Sequence, residues 1–168
     1  MQATTIKRPK FSEDQIDYTA PDVQRLIGRY CDWLDACNEG SSDEECISDI
    51  KKVFGRISRY GVFTDDGFSL AKYMEDHLYL TGDSNLVEIL DDAPDIARSH
   101  HRAAVLKWTT ENNLIIPENI VGSKCITSGT YKGMYVVGIR GDEYKVVLNE
   151  NQNKSGGYIV EFESIQFE

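Results

Sequence analysis

Cysteine side chains are the first candidates for chemistry in this chain of 168 residues. A structural zinc site usually contains a close Cys-x-x-Cys pair, and no such pair occurs here. Thiols that are few and irregularly spaced are typical of reduced cysteines rather than of a disulfide scaffold. The sequence therefore predicts neither a metal site nor a disulfide framework from its four cysteines, Cys31, Cys37, Cys46 and Cys125.

Histidine side chains are the second candidates, as general bases or as metal ligands. His100 and His101 are adjacent in a predicted helix, so they point about 100° apart and do not readily chelate one ion. No spacing ties them or His77 to a nucleophile, and nucleophile-elbow and phosphate-loop patterns are absent from the sequence. We therefore expect a non-enzymatic protein with no catalytic residues, no cofactor and no metal.

One acidic stretch begins like a calcium-binding loop, at Asp83-Ser84-Asn85. Val87 stands where another oxygen ligand is required, and no glycine occupies the sixth position of the loop. The stretch therefore predicts a helix cap rather than a calcium site.

Acidic side chains are the strongest candidates for recognition. Residues 1–117 contain 13 basic and 21 acidic residues, a net charge of −8, out of −10 for the whole chain. Such an array can attract the basic groove of a nucleic-acid enzyme by its summed charge, but a solvated helix face has the same composition. The predicted partner-binding residues are Asp32, Asp35, Glu39, Asp43, Glu44, Glu45 and Asp49; a second cluster is Glu88, Asp91, Asp92 and Asp95.

Two helices must position the first acidic group. Pro21 in the first turn, after a cap at Thr19, predicts the start of one helix, whose apolar stripe runs at steps of three and four to Cys37. Ser42 and Glu45 have the spacing of a capping box and predict the start of the next helix. The short connection between the two predicts an antiparallel pair.

Three more helices complete the predicted bundle. Phe68, Ala71, Met74 and Leu78 have the spacing of a third helix with a buried stripe. Asp83 or Ser84 caps a short fourth helix, and Pro94 begins a fifth, which ends near residues 112–113. We expect an acidic helical domain over residues 20–116. Residues 1–19 lack periodicity and predict a flexible basic arm that carries Lys7, Arg8 and Lys10.

Beyond Pro117 the apolar period drops to two, which is typical of strands. Glycines at 129, 141 and 156–157 separate four or five short antiparallel strands over residues 117–168. A curled sheet or a half-open barrel closes such strands most simply. The predicted fold class is α+β, in which an N-terminal helical bundle precedes a small antiparallel SH3-like β-barrel or curled sheet.

The run from Val121 to Gly133, with Gly129-Thr130-Tyr131-Lys132-Gly133 at its end, resembles a KOW-type element of an SH3-like barrel. The resemblance covers about residues 118–168. It implies binding to RNA, the ribosome or the transcription machinery, with Tyr131, Lys132 and Tyr135 as contact residues. The alternative is that the glycines serve turn geometry and the tyrosines pack the sheet, in a module with five basic and seven acidic residues.

The sequence favours an acidic interaction protein that binds and modulates another protein, with inhibition as the expected effect. Nucleic-acid or ribosome association through the KOW-like module is the alternative, and a structural or assembly role is a third. No apolar run approaches the length of a membrane span, and the N-terminus lacks the apolar segment of a secretory signal. We therefore expect a cytoplasmic protein without membrane contact, and the oligomeric state stays open.

Overall fold

A computed structural model describes residues 7–37, 40, 42–59 and 65–168. The chain divides into two compact units, each with its own hydrophobic core. We call residues 10–101 the helical unit, and residues 1–9 together with 102–168 the β unit. Helices followed by an antiparallel sheet confirm the predicted α+β class.

Five α-helices occur in the described part of the chain, close to the predicted positions. They are α1 (Pro21–Ala36), α2 (Asp43–Arg59), α3 (Gly67–Leu78), α4 (Ser84–Leu90) and α5 (Ala93–Glu111). The division between the units falls inside α5, between residues 101 and 102. None of these helices, as described, combines the length and apolar character needed to cross a membrane.

The start of α2 confirms the predicted capping box. The Ser42 backbone N–H donates to Glu45 Oε2 at 3.1 Å, and the Glu45 N–H donates to Ser42 Oγ at 3.3 Å. The predicted cap of α1 is wrong, because the capping residue is Ala20 and the Thr19 hydroxyl instead donates to Asp17 at 2.6 Å. Pro21 at the first helical position lacks an N–H, so α1 begins with one fewer donor to satisfy.

The buried face of α3 shares Ala71 and Met74 with the predicted stripe but differs from it elsewhere. Leu70, Ala71 and Met74 are buried at helical spacing, as a core-facing stripe requires. Phe68, which we predicted to point inward, is 67% exposed. The helix therefore presents a large aromatic side chain to solvent.

The segment before α1 differs from the predicted flexible arm, of which residues 1–6 lie outside the described part. Phe11 and Ile16 are buried in the core of the helical unit. A single 3-10 turn, Glu13–Gln15, lies between them. The side chain of Arg8 is only 10% exposed and belongs to the β unit. Apolar and cationic side chains in this segment thus have tertiary contacts that local periodicity does not reveal.

A disulfide joins Cys31 of α1 to Cys46 of α2, with their Cα atoms 5.8 Å apart. The prediction of reduced thiols is therefore wrong for this pair. Cys37 and Cys125 are free, the first exposed and the second buried. The pairing depends on which faces of two antiparallel helices meet, and the spacing of cysteines along the chain does not contain that information.

The β unit contains a three-stranded antiparallel sheet in the order β1-β2-β3, formed by β1 (Tyr135–Arg140), β2 (Lys145–Asn149) and β3 (Tyr158–Glu161). Residues near Lys124 and Cys125 extend the pairing through isolated bridges: Lys124 pairs with Tyr135, and Cys125 pairs with Phe167 near the C-terminus. Residues 122–126 therefore lie between β1 and the C-terminal residues 165–168. A 3-10 turn, Phe162–Ser164, connects β3 to that final segment.

The core of the β unit combines the sheet with the second half of α5. Val136, Val146 and Leu148 are fully buried and Val160 is nearly so. Val105 of α5 joins this core, and Trp108 packs against it. The two units accordingly divide inside α5, upstream of the predicted boundary at Pro117.

Candidate interaction surface on the helical unit

The predicted acidic residues gather where α1 ends and α2 begins. The Cys31–Cys46 disulfide fixes these two helical segments side by side. Asp35 follows Cys31 by one helical turn, and Asp43 precedes Cys46 by about one turn, so both lie toward the same end of the helix pair. Glu39 falls outside the described residues. We use the term acidic face for Asp32, Asp35, Asp43 and Glu44, which are all exposed.

Two other predicted contact residues have partners inside the helical unit. Glu45 completes the capping box of α2. Asp49 accepts a hydrogen bond from the Tyr30 hydroxyl at 3.0 Å and one from Lys52 Nζ at 2.8 Å, and its side chain is only 18% exposed. These bonds give Glu45 and Asp49 structural roles, and we do not place them on the acidic face.

The acidic residues of α1 and those of α2 interact differently with the dipoles of their helices. Asp43 and Glu44 lie in the first turn of α2, where negative side chains stabilise the helix. Asp35 lies in the last turn of α1, which contains no basic residue, and Asp32 lies one turn earlier. A carboxylate beside a helix C-terminus is unfavourable by about 0.3–1 kcal/mol. Helix stability therefore explains the acids of α2 but not those of α1.

Three residues of the acidic face also differ from other carboxylates of the helical unit in their side-chain partners. Among the described residues, none makes a side-chain hydrogen bond or ion pair with Asp32, Asp43 or Glu44. Carboxylates that are exposed and without such partners keep their full capacity to accept hydrogen bonds from a cationic ligand. The chemistry that this face offers is the recognition of positive charge.

The second acidic cluster contrasts with Asp32, Asp43 and Glu44, because each of its members is engaged. Arg29 lies 2.7 Å from Asp92 and 3.8 Å from Glu88. Asp91 accepts the backbone N–H of Gly67 at 2.6 Å, at the start of α3, and Asp95 pairs with Arg98. Asp91, Asp92 and Glu88 connect different elements of the helical unit, whereas the pair of Asp95 lies within α5. The members of the cluster are Glu88, Asp91, Asp92 and Asp95.

The adjacent histidines hold the segment before α1 against α5. The Asp17 backbone N–H donates to His100 Nδ1 at 3.1 Å, and His100 Nε2 lies 3.6 Å from the Asp22 carboxylate. His101 Nδ1 lies 3.0 Å from Gln15 Oε1. Across the described ranges, no group of three or more His, Cys, Asp or Glu side chains has an arrangement that could hold a metal ion. The two histidines thus have structural contacts.

The predicted nucleic-acid contacts of the β unit are partly packed. The ring of Tyr131 meets that of Tyr158 edge to face, with centroids 5.8 Å apart. Lys124 Nζ lies 6.0 Å from the centroid of Tyr135, which is half-buried. Lys132 is exposed. The predicted contact residues did not include Tyr158, although it packs on Tyr131 and is 52% exposed.

Two exposed aromatic residues of the helical unit were also missed. Phe68 matched a buried stripe, and Tyr79, which is 92% exposed, follows the last residue of α3. The sequence contains no signal for Tyr79, because its exposure depends on where α3 ends, at Leu78.

Comparison with known proteins adds no relative: a scan against protein-family models, a search of curated proteins and a search of solved structures gave no match.

Proposed function

We propose that this protein binds and modulates another protein through the acidic face of its helical unit, and that the partner presents a basic site. The observation that carries this proposal is the presence of exposed carboxylates near the C-terminal end of α1, where they oppose the helix dipole. The disulfide places them beside the acidic first turn of α2. The combined surface presents negative charge from two helices.

The expected consequence for the partner is inhibition, because a bound acidic face covers the basic site. Enzymes that act on nucleic acids are the partner class with such sites, since they bind phosphate backbones through clustered Lys and Arg. Summed charge accelerates encounter between the two proteins and weakens as salt screens it, over a Debye length of about 8 Å at physiological ionic strength.

The proposal is tested by affinity purification from the native cell with nuclease treatment. We compare the natural protein with a triple variant, Asp32→Lys, Asp35→Lys and Asp43→Lys, and with a control of equal charge change, Glu118→Lys, Glu150→Lys and Glu168→Lys. A nuclease-resistant protein partner should be retained by the natural protein and the control, and its affinity for the face variant should fall at least about tenfold, as for loss of several interfacial charge pairs. Equal retention by all three forms would contradict the proposal.

Nucleic-acid association through the β unit is a second candidate, supported by the order of its backbone pairings. The bridges from Lys124 and Cys125 place residues 122–126 between β1 and the C-terminal segment, as expected for a small barrel. Lys124 lies near the ring of Tyr135, which can stack on a base, and the exposed Lys132 follows Tyr131 in the sequence. These features are consistent with the implied contact role of Tyr131, Lys132 and Tyr135.

Fluorescence anisotropy with labelled single-stranded RNA and DNA at low salt distinguishes this candidate. Tyr131→Ala with Lys132→Ala should weaken binding, whereas Lys154→Ala, at an exposed lysine in a loop of the same unit, should change it much less. If neither RNA nor DNA binds at protein concentrations of about 10 µM, within the usual range of nonspecific affinity, the second candidate fails.

A further inference from the structure

An open groove lies between α3 and α4 in the helical unit, with a volume of about 430 Å³. Ala71 and Val87 contribute apolar atoms, and Phe68 stands at its edge with 67% of its surface exposed. Pockets of roughly 300–1,000 Å³ that are mostly apolar are typical of binding sites. The groove is distinct in its residues from the acidic face.

Two exposed aromatic residues lie at the two ends of α3. Phe68 belongs to its first turn and lines the groove, and Tyr79 follows its last residue. Their exposed fractions are 67% and 92%. Aromatic side chains are the usual anchors of protein interfaces, because they bury a large area with little loss of conformational freedom. Their exposure here leaves that area open to a partner.

The backbone of Tyr79 supports a role for its side chain. Tyr79 has φ +58° and ψ +28°, the left-handed conformation that glycine adopts most easily. Helices often place glycine at this position, and a strained non-glycine residue is frequently found at a functional site. A tyrosine here has an energetic disadvantage that helix termination alone does not explain.

Carboxylates at the rim give the groove a negative character. The Gly82 N–H donates to Glu75 at 3.1 Å, while Asp83 accepts from the N–H groups of Asn85 at 3.0 Å and Leu86 at 2.9 Å, and from Trp33 Nε1 at 2.9 Å. The backbone bond from Leu86 is the main reason that the pKa of Asp83 is lowered, against a smaller opposing effect of desolvation. Both carboxylates are therefore held in place, and that of Asp83 stays ionised.

A single basic side chain, Lys72, occurs among the described residues that line the groove. Its Nζ lies 3.7 Å from Glu75 and 3.7 Å from Asp76, so acidic groups outnumber it at the rim. A ligand that complements this rim must bring positive charge as well as apolar surface.

We propose that the groove binds a basic amphipathic helix of a partner protein. In this arrangement, large apolar side chains of the partner enter the groove beside Phe68, the partner helix extends along α3 to cover Tyr79, and its Lys or Arg side chains meet Glu75 and Asp83. Laying the apolar face of a helix into a groove between helices is a common mode of peptide recognition, with anchors spaced at helical turns. The groove is a second surface, and its test does not depend on the acidic face.

The test selects binders to the full-length protein from a phage-displayed library of random peptides, roughly 16 residues long so that they can span α3 as a helix. Enriched peptides should carry large apolar residues at spacings of three or four, together with Lys or Arg. Their affinity should fall about tenfold or more for Phe68→Ala with Tyr79→Ala, as for loss of two anchor residues.

A matched control removes exposed apolar side chains elsewhere, through Ile115→Ala and Val121→Ala, which are 80% and 50% exposed. This control should bind the peptides as the natural protein does.

A second variant, Ser84→Trp, fills the groove from an exposed position and should also weaken binding. It tests the proposal if the double alanine variant misfolds. Failure to enrich any peptide, enrichment of acidic peptides, or equal binding to folded variants and control would overturn the proposal.

Discussion

Glu143 of the β unit and the acidic face of the helical unit use negative charge in different ways. In the β unit, Glu143 receives three cations, with Arg102 at 2.9 Å, Lys145 at 3.2 Å and Arg140 at 3.5 Å. In the helical unit, Asp32 and Asp43 are exposed and have no such partner among the described residues. Acidic side chains thus stabilise internal contacts at Glu143 and form an open surface at Asp32 and Asp43. Net charge alone cannot separate these two uses.

The pKa of Glu143 reflects its internal role. Burial opposes ionisation of this carboxyl, but the hydrogen bond from Lys145 and the charges of Lys145, Arg102 and Arg140 outweigh burial and hold the pKa below its usual range. A carboxyl whose pKa is lowered by folding stabilises the folded protein above its unfolded-state pKa. That stabilisation is lost as the pH falls through the folded-state pKa.

Removal of the disulfide should lower the stability of the protein more than any other change, and it tests the helical unit. The Cys31–Cys46 bond spans a sequence separation of 15 residues. Closing such a loop reduces the freedom of the unfolded chain, so Cys31→Ser with Cys46→Ser should lower the free energy of unfolding by about 3 kcal/mol. Urea denaturation followed by circular dichroism measures this. Cys37→Ser removes an exposed free thiol and should leave the midpoint unchanged; equal midpoints for the natural protein and the double variant would rule out a stabilising bond.

Arg8→Ala should produce the next largest effect, in the β unit. The Arg8 guanidinium donates to the backbone carbonyls of Glu143 and Tyr144, and it lies 3.1 Å from Glu163. Because its side chain is only 10% exposed, its loss leaves acceptors with fewer partners and should cost about 2 kcal/mol of unfolding free energy. Thermal and urea unfolding measure the change.

The control for Arg8 is Lys10→Ala, at an exposed basic residue two positions away. Its effect should stay within about 0.5 kcal/mol, as is usual for surface substitutions. If Arg8→Ala and Lys10→Ala lower the free energy of unfolding equally, the contacts of Arg8 contribute no more to stability than an exposed lysine of the same segment does.

Neutralising one carboxylate in each unit tests the comparison directly. Glu143→Gln should lower the free energy of unfolding by about 1 kcal/mol at neutral pH, because it weakens a partly exposed network of ion pairs. The deficit should shrink as the pH falls below about 4.3, the usual pKa of a glutamate in an unfolded chain. Asp32→Asn should cost nothing or stabilise slightly, since it removes charge near the negative end of α1. Urea titrations across pH 3–8 measure both; equal losses would erase the distinction between the units.

Tyr79→Gly should have a small effect on stability, opposite in sign to that of Glu143→Gln. Glycine relieves the left-handed backbone but adds freedom to the unfolded chain, so the net gain should be about 0.5 kcal/mol. The same change should weaken binding of peptides selected for the α3–α4 groove. A thermal-shift assay and a peptide titration measure the two effects, and a destabilised Tyr79→Gly variant with full peptide affinity would contradict a functional reason for the tyrosine.

Local features of the fold could be predicted from the sequence. The capping box of Ser42 and Glu45 formed as expected, because both residues belong to one helical turn. The period of two correctly located β2 and β3. Such features depend on neighbours within a few residues, and the sequence displays those neighbours directly.

Contacts between distant residues could not be predicted in this way. The Cys31–Cys46 bond requires two helices to meet at particular faces, and Arg8 reaches carbonyls more than 130 positions away. The exposure of Phe68 depends on which of two adjacent rows of α3 faces the core. For the candidate surfaces, the sequence indicated the acidic residues but not which of them have partners, and it did not indicate the groove.

The two tryptophans of the chain belong to different cores, and this gives the protein a pair of optical reporters. Trp33 is buried in the helical unit and donates to Asp83, whereas Trp108 packs edge to face on Tyr144 in the β unit, with centroids 5.6 Å apart. Replacing either one by phenylalanine leaves a single tryptophan, which can be excited selectively over the tyrosines. The emission of Trp33 or of Trp108 can then follow the melting of its own unit in the intact chain, without any added dye.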